Sequence, residues 1–368
     1  MADNLHISSI PAAVAHLAHG NHLPFSRPPT PHNHPTQIGF YGLGAMGYLM
    51  ARNLAKARAG HLAGSPPLLV YNRTVAKSEK LAKELGGESK VRVAQSVADL
   101  VNECDIVITN LANDAAVKSV YEEFSKALSA APPTKNKIFV ETSTIYPTLA
   151  GELDQAISTH PHSHFITSPV FGAPPAADKA ELIIIMSGDY RSKKELAYIF
   201  IPAIGKKVVD LGGNVEKAPT FKLIGNSMIL GCMEVVAEGQ TLSEKAGIGA
   251  DEVQRLVQDL LPAPPMVNYG AKMIADSFDG SKGFAIDGGI KDATHIRRLT
   301  VEHNSPMPVI DAALSHLLTA RAMHVSQVDQ GTSRFETLDW SALVAGTRVA
   351  AGLNGFDSDT HSRVVKDD

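Results

Sequence analysis

The stretch Ile38-Gly39-Phe40-Tyr41-Gly42-Leu43-Gly44-Ala45-Met46-Gly47 decides the fold of this chain. A short apolar run leads directly into a G-x-G-x-x-G motif, and a helical pattern follows over residues 46–57. This order of strand, glycine loop and helix is the context in which the motif holds a dinucleotide. Gly42 permits the tight turn, Gly44 lets backbone N–H groups approach a pyrophosphate, and Gly47 lets the helix pack on the sheet. The helix N-terminus then offers its partial positive charge to the phosphates.

Short apolar runs alternate with helical patterns from this loop to about Asn214. Strands are predicted at residues 68–71, 105–111, 137–141, 165–167, 182–186 and 207–209, and helices at residues 75–85 and 115–128. Such alternation is typical of βαβ units and a doubly wound sheet with helices on both faces. The first part of the chain is therefore predicted to be an α/β Rossmann-type domain.

Only helical patterns follow this region, at residues 221–246, 251–261, 265–276, 290–303 and 308–325. We therefore expect an all-α C-terminal domain, joined to the first domain by one long interdomain helix. The expected division of the chain is an irregular tail over 1–36, a nucleotide-binding Rossmann domain over 37–212, a helical domain over 213–351 and a frayed tail over 352–368.

Composition excludes several classes of partner. Of the 368 residues, 44% are hydrophobic, and 34 Lys and Arg stand against 38 Asp and Glu, which gives a net charge of −4. This balance does not favour nucleic acid or an anionic membrane surface. No apolar run approaches the roughly 20 residues that span a bilayer. The two cysteines fit no disulfide framework and no metal or redox motif, so no metal is expected and a reducing compartment is favoured.

The N-terminal segment is rich in histidine and proline. It holds His19, His22, His32 and His34 among many prolines, which interrupt the helical spacing that a set of metal ligands would use. It lacks the basic start and apolar stretch of a secretory signal, and it is poor in the arginines of a mitochondrial presequence. We therefore expect an irregular tail on a cytoplasmic protein.

The residues after the second predicted strand indicate which cofactor is bound. An NAD site places Asp or Glu there to bind the adenosine ribose hydroxyls. This chain has Asn72-Arg73-Thr74 instead. Arg73 can pair with a 2′-phosphate through its planar guanidinium, and Thr74 can add a hydroxyl. The segment favours NADP(H), and the alternative is that Arg73 is only a solvated surface residue.

A possible chemical group lies at the start of the long helix. Lys222 and Asn226 are four residues apart and share one helical face, and Gly225 keeps bulk away beside them. An ammonium and an amide on one face could hold a substrate oxygen, and burial would lower the lysine pKa towards useful acid–base values. On spacing alone, however, a solvated lysine is the more common outcome.

The chain resembles the β-hydroxyacid dehydrogenase family, which includes 3-hydroxyisobutyrate dehydrogenases, and it is most similar to the branch of glyoxylate/succinic semialdehyde reductases. The resemblance runs from about Ile38 to Val349. Besides the glycine loop and Asn72-Arg73-Thr74, the matching elements are Glu141-Thr142-Ser143-Thr144, Pro169-Val170-Phe171-Gly172, residues 176–188, the K-x-x-x-N of Lys222 and Asn226, Phe284 and Lys291-Asp292.

The resemblance implies a reaction and assigns roles to these residues. It implies hydride transfer at a hydroxyl or carbonyl carbon of a small molecule, in an enzyme that forms a homodimer or higher oligomer through its helical half. Lys222 would be the catalytic acid and base, and Asn226 would orient it or the substrate. The remaining implied residues are Thr144 near the nicotinamide, Leu111 and Ala112 over the nucleotide, Gly172 at the substrate, and Phe284, Lys291 and Asp292 closing the site, with Lys291 near the cofactor.

One residue departs from the family pattern. Where the family has a serine that donates to the substrate carboxylate, this chain has Phe171, and only the Gly172 N–H remains as a donor in that motif. A hydrogen bond to a charged group contributes roughly 1.5–3 kcal/mol. The small acids that the family uses are therefore expected to be poor substrates, whereas the hydride chemistry should be kept.

Two other functions are compatible with the same layout. Imine reductases and reductive aminases share it but usually lack the lysine, and some relatives keep the fold as a nucleotide-binding module without catalysis. Lys222 argues against the first alternative, and Phe171 argues mildly for it. Retention of Lys222, Asn226, Lys291 and Asp292 together argues against loss of activity.

Overall fold

The computed structural model describes residues 23–26, 36–61 and 65–361. Its first half contains one large sheet with the strand order β3-β2-β1-β4-β5-β6-β8-β7, and β9 pairs with β8. The six strands from β3 to β6 are parallel, and β8 runs antiparallel to β6. The strands are β1 Ile38–Tyr41, β2 Leu68–Tyr71, β3 Val91–Val93, β4 Ile106–Thr109, β5 Lys137–Glu141, β6 Ser163–Thr167, β7 Val170–Phe171, β8 Leu182–Gly188 and β9 Gly205–Asp210.

Helices cover this sheet, and the central strands are apolar because both of their faces are buried. All residues of β1, β4 and β5 are buried. The helices of this half are α1 Ala45–His61, α2 Val75–Glu84, α3 Val97–Glu103, α4 Asp114–Ala130, α5 Pro147–Ser158, α6 Pro174–Asp178 and α7 Tyr190–Phe200. The predicted α/β Rossmann-type fold is confirmed.

The register of the sheet indicates where a ligand site lies. Tyr41 at the end of β1 lies level with Tyr71 and Thr109, and Thr109 lies level with Glu141. The chain order changes direction between β1 and β4, with β2 and β3 on one side and β4 and β5 on the other. In open sheets of this kind, ligands bind beyond the carboxyl ends of the strands at this point.

The second half is helical, as predicted. Its helices are α8 Lys217–Lys245, α9 Ala250–Leu260, α10 Pro264–Ile274, α11 Ile286–Glu302, α12 Pro308–Asp329 and α13 Val344–Ala350. The long helix α8 packs against all the others in this half. In the described chain it is the one helix that length and composition would allow to cross a membrane, but 56% of its most apolar window is buried within the protein.

The predicted C-terminal tail needs correction where the structure describes it. Residues 352–361 are not frayed, since Phe356 is buried and Ser358 donates to Asp276 at 2.7 Å. Residues 23–26 are irregular but lie against α7, where the Tyr198 hydroxyl donates to the Phe25 carbonyl at 3.0 Å. The histidines of the N-terminal cluster lie outside the described residues.

Candidate active site

The glycine loop between β1 and α1 has the shape that a pyrophosphate needs. Gly42 has a φ of 100°, and a Cβ there would lie 2.2 Å from the Asn110 carbonyl oxygen. A Cβ at Gly47 would lie 2.0 Å from the Gly42 carbonyl oxygen, so both glycines are required by the protein itself. A Cβ at Gly44, in contrast, would meet no protein atom within 4 Å. The open space above Gly44 fits its predicted role of letting a ligand approach the backbone.

The segment after β2 both supports this loop and exposes a possible phosphate site. Asn72 accepts from the Leu43 N–H at 2.8 Å and donates to the Thr74 carbonyl at 3.0 Å, so its amide holds the loop and the turn together. Arg73 and Thr74 are exposed. Thr74 caps α2 without a side-chain hydrogen bond, and the first turn of α2 contains no acidic residue. The exposed N–H groups of this turn, with Arg73 beside them, are suited to an anion.

The loops after β4 and β5 form the other side of the site. The Leu111 N–H donates to the Ser143 hydroxyl at 2.6 Å, and Asn110 donates to the Thr142 hydroxyl at 3.0 Å. The Thr144 carbonyl accepts from Lys291 of α11 at 2.5 Å. This last bond joins the Rossmann domain to the helical domain at the predicted nicotinamide position.

Lys222, Asn226 and Asp292 form one connected group. Lys222 and Asn226 stand one turn apart on α8, and the lysine ammonium donates to the Asn226 amide oxygen at 3.0 Å. The Asn226 amide nitrogen donates to Asp292 at 2.6 Å, and Lys291 lies 2.8 Å from the other oxygen of Asp292. Asn226 and Asp292 are only 4% and 1% exposed. The buried carboxylate thus fixes which way the amide points, and the amide oxygen in turn holds the ammonium.

This environment adjusts the acidity of Lys222. Burial of its ammonium group lowers the pKa from 10.5 to about 8. The nearby Asp292 charge acts in the opposite direction and raises the pKa, and the Lys291 charge lowers it by a smaller amount. The side chain as a whole is partly accessible, so solvent or a substrate can reach it. A lysine with such a pKa can donate a proton just below pH 8 and accept one just above it.

Phe171 points into this group. Its ring centroid lies 4.4 Å from the Lys222 nitrogen, within the range of a cation–π interaction. The ring also covers Gly225, where a Cβ would lie 2.1 Å from the ring. The absence of a side chain at Gly225 therefore makes the space that the Phe171 ring fills. The sequence indicated only that Gly225 keeps bulk away from this face of the helix.

The other predicted site residues are placed as follows. Gly172, at a φ of 137°, follows β7 directly. The Phe284 ring packs edge-to-face on Trp340 with ring centroids 4.8 Å apart, so its contact with substrate stays a prediction. Ala112 is exposed beside Leu111. Within residues 23–26, 36–61 and 65–361, no group of three or more His, Cys, Asp or Glu could hold a metal ion.

Sequence reasoning did not single out one buried acid at this site. The Glu141 carboxyl accepts from the Ser143 N–H and from the Thr109 hydroxyl, each at 2.7 Å. Burial raises its pKa to about 7, against the lowering effect of these hydrogen bonds. A carboxyl that ends an otherwise apolar strand is the signal that could have identified it.

The chain is similar to several known oxidoreductases. Residues 37–213 match the NAD binding domain of 6-phosphogluconate dehydrogenase. The chain is 28% identical over 309 residues to the NADH-dependent oxidoreductase ucdB of Aspergillus ustus, covering 84% of this chain and 98% of that protein. It is 29% identical over 299 residues to glyoxylate/succinic semialdehyde reductase 1 of Arabidopsis thaliana, covering 80% of this chain and 95% of that protein.

A solved structure extends the comparison of the fold to both halves of the chain. The 3-hydroxyisobutyrate dehydrogenase of Mycobacterium tuberculosis aligns with a TM-score of 0.66 and 22% identity, covering 85% of this chain and 99% of that chain. At this level of identity the likeness concerns the fold. The predicted arrangement of a Rossmann domain followed by a helical domain is confirmed by it.

Proposed function

We propose that this protein is an oxidoreductase of the β-hydroxyacid dehydrogenase type, which transfers a hydride between NADP(H) and a hydroxyl or carbonyl carbon. The match of residues 37–213 to the NAD binding domain of 6-phosphogluconate dehydrogenase and the similarity to a glyoxylate/succinic semialdehyde reductase support this proposal. Lys222 is the proposed acid and base. The observation that carries this proposal is the chain of contacts from Lys222 through Asn226 and Asp292 to Lys291, which reaches the Thr144 carbonyl at the nucleotide domain.

The chain's own residues have distinct tasks in this proposal. The glycine loop and the start of α1 would hold the pyrophosphate, and Leu111 and Thr144 would flank the nicotinamide, which when bound would supply or accept the hydride. In reduction, the ammonium of Lys222 donates its proton to the carbonyl oxygen. In oxidation, the neutral amine accepts the hydroxyl proton. Asn226 keeps the lysine nitrogen in place in both directions because Asp292 fixes its amide.

Two observations support NADP(H) rather than NAD(H). The end of β2 carries no carboxylate, and Arg73 and Thr74 are exposed beside the uncapped first turn of α2. A 2′-phosphate carries close to two negative charges and would be attracted by both features. Because the relative ucdB is named as NADH-dependent, cofactor choice must be tested on this chain directly.

The proposed function is tested by turnover of NADPH with a panel of carbonyl compounds and imines. The panel comprises glyoxylate, succinic semialdehyde, larger apolar aldehydes and cyclic imines, and binding of NADPH is followed in parallel by its fluorescence. Reduction of at least one aldehyde is expected. Turnover of imines alone would favour an imine reductase, and binding without any turnover would favour a non-catalytic module.

The pH profile provides a separate prediction. With the pKa of Lys222 lowered to about 8, its acid form is lost as pH rises through 8, and its base form appears over the same range. We expect kcat for carbonyl reduction to fall above pH 8 and kcat for alcohol oxidation to rise. The Lys222→Arg variant stays charged over this range, so its kcat should not show this change around pH 8. A wild-type profile that is flat from pH 7 to 10 would contradict the assignment.

Substrate size provides another testable prediction. Phe171 faces the Lys222 ammonium, and it replaces a hydroxyl donor by an apolar wall that favours burial of substrate carbon at roughly 25 cal/mol per Å². We expect glyoxylate to be a poor substrate. Phe171→Ser should raise kcat/KM for a small carboxylate-bearing aldehyde by about tenfold or more, from the recovered hydrogen bond, and do little for an uncharged aldehyde.

Tyr190→Ser is the matched control for this substitution, because Tyr190 is an exposed aromatic residue whose ring packs on Phe25, outside the Phe171 and Lys222 contact. It should leave the preference between the two aldehydes unchanged. If the wild-type enzyme already reduces glyoxylate efficiently and Phe171→Ser gains nothing, backbone donors alone hold the carboxylate and the prediction is wrong.

We also propose that the protein is a homodimer in the cytoplasm, associated through its helical half. An exposed apolar stripe supports the association: Phe221, Ile224, Met228, Val235 and Leu242 recur at intervals of three, four, seven and seven residues along α8. This spacing places them on one helical face. Light scattering should give about twice the chain mass of 39.1 kDa, and a single chain mass at micromolar concentration would contradict the proposal.

A further inference from the structure

Glu141 is a fully buried carboxyl to which the proposed chemistry gives no task. It is the last residue of β5, the strand that follows β4 on one side of the point where the sheet order changes, and it is 0% exposed. Burial of a carboxylate is costly unless hydrogen bonds replace the lost water. An acid kept at this position, at the carboxyl edge where ligands bind, therefore needs an explanation.

The contacts of Glu141 connect two loops. One carboxyl oxygen accepts from the Ser143 N–H and the other accepts from the Thr109 hydroxyl, each at 2.7 Å. The Ser143 hydroxyl in turn accepts from the Leu111 N–H at 2.6 Å. Glu141 thus fixes the turn after β5, and through Ser143 it holds the turn after β4.

Both turns lie on one side of the nucleotide site. Arg73 follows β2 and marks the side of the adenosine ribose, whereas Leu111 and Thr144 follow β4 and β5 across the switch point. In sheets of this order, the two halves of a dinucleotide lie on the two sides of that point. The groups that Glu141 holds therefore face the nicotinamide half, and Thr144 also receives Lys291 from the helical domain.

We propose that Glu141 is a positioning residue, which keeps Leu111 and Thr144 in the arrangement that receives the nicotinamide ring and leaves the adenosine end of the site unaffected. The proposal rests on the proposed function only in requiring that the chain binds a nicotinamide dinucleotide. A substitution at Glu141 should therefore weaken the binding of a ligand that contains nicotinamide and leave the binding of a ligand without nicotinamide unchanged. A residue needed merely for stability would not produce this difference.

The test compares NADPH with 2′-phospho-ADP-ribose, which is the same molecule without its nicotinamide. In Glu141→Gln the carboxylate becomes a neutral amide, so the hydrogen bond from the Ser143 N–H is no longer one to a charged group, while the amide N–H can donate to the Thr109 hydroxyl, which can turn to the Val140 carbonyl. We expect the Kd of NADPH to rise about tenfold, the usual loss for a hydrogen bond to a charged group. The Kd of 2′-phospho-ADP-ribose, measured by calorimetry, should stay within twofold of the wild-type value.

Lys137→Met is the matched control, because Lys137 is a buried charge at the opposite end of the same strand. Its ammonium donates to the carbonyls of Val101 and Cys104, away from both loops. This variant should lose thermal stability and bind both ligands as the wild type does. Ser143→Ala removes the link to Leu111 while Glu141 stays intact, and it should reproduce the ligand difference even if Glu141→Gln does not fold.

Equal weakening of both ligands in Glu141→Gln, or an unchanged Kd of NADPH in Ser143→Ala, would overturn the inference. If the wild type prefers NADH, the same comparison is made with NADH and ADP-ribose. A wild-type protein that binds none of these ligands would overturn the proposed function and the inference together, so the two failures are distinguishable.

Discussion

Replacement of Lys222 by Ala is expected to lower kcat for carbonyl reduction by about two to four decades, the usual size of a general acid–base contribution. The ammonium is held by Asn226 at 3.0 Å and is the group with a pKa of about 8 in this cluster. Binding of NADPH should change little, because the glycine loop and Arg73 lie on other elements. Steady-state rates and NADPH titration by fluorescence measure the two quantities.

The control for this variant is Lys217→Ala, which removes an exposed lysine from the first turn of the same helix. It should retain wild-type kcat. Stability gives a second check: a lowered lysine pKa means that the folded state disfavours the charged form below pH 8, so Lys222→Ala should not lower the melting temperature at pH 7. If Lys222→Ala keeps most of its kcat, another group or water transfers the proton.

Arg73→Asp is expected to lower the ratio of kcat/KM with NADPH to kcat/KM with NADH by about two to three decades. The substitution removes a charge-assisted pair of roughly 1.5–3 kcal/mol and places a carboxylate against the 2′-phosphate. The same carboxylate can accept from the ribose hydroxyls of NADH, as acidic residues do in NAD sites. Kinetics with both cofactors at equal low concentration measure the ratio.

Arg191→Asp is the matched control for the cofactor prediction, because Arg191 is an exposed arginine at the start of α7, away from β2. It should leave the ratio as in the wild type. A wild-type enzyme that uses NADH as well as NADPH would show that Arg73 is a solvated residue and that the argument from Asn72-Arg73-Thr74 is wrong.

The fold could be predicted from local patterns wherever those patterns were strong. The glycine loop and the apolar strands β1, β4 and β5 identified the Rossmann domain, because strands buried on both faces are continuously apolar. The sequence analysis missed β3, which has three residues with Arg92 at its centre, and α5, which begins at Pro147. β3 is too short to show a period, and the neighbouring strand determines it. α5 does have a helical period, in Leu149, Leu153 and Ile157, and this signal was overlooked.

The C-terminal segment was mispredicted for a related reason. Residues 352–361 are polar in sequence, yet they are fixed by long-range contacts: Arg348 and Ser358 meet at Asp276, and His361 pairs with Glu244. Such partners lie about seventy to over a hundred residues away. Local composition carries no information about them.

The site shows the same contrast between features that local spacing predicts and features that depend on long-range contacts. The helical spacing of Lys222 and Asn226 predicted that they share a face, and they are hydrogen-bonded. Asp292 lies 66 residues from Asn226, so only the family resemblance connected it to this group before the structure did. The fit of Phe171 over Gly225 could not be predicted, because it depends on how β7 meets α8.

Transfer of deuterium from NADPH that carries deuterium at both C4 positions of the nicotinamide tests the central claim most directly. The wild-type enzyme is incubated with the labelled cofactor and the best aldehyde of the panel, and the alcohol is analysed by mass spectrometry and NMR. We expect one deuterium on the carbinol carbon, at a rate that Lys222→Ala lowers by at least a hundredfold. An alcohol without deuterium, or label found only in amines formed from imines, would contradict it.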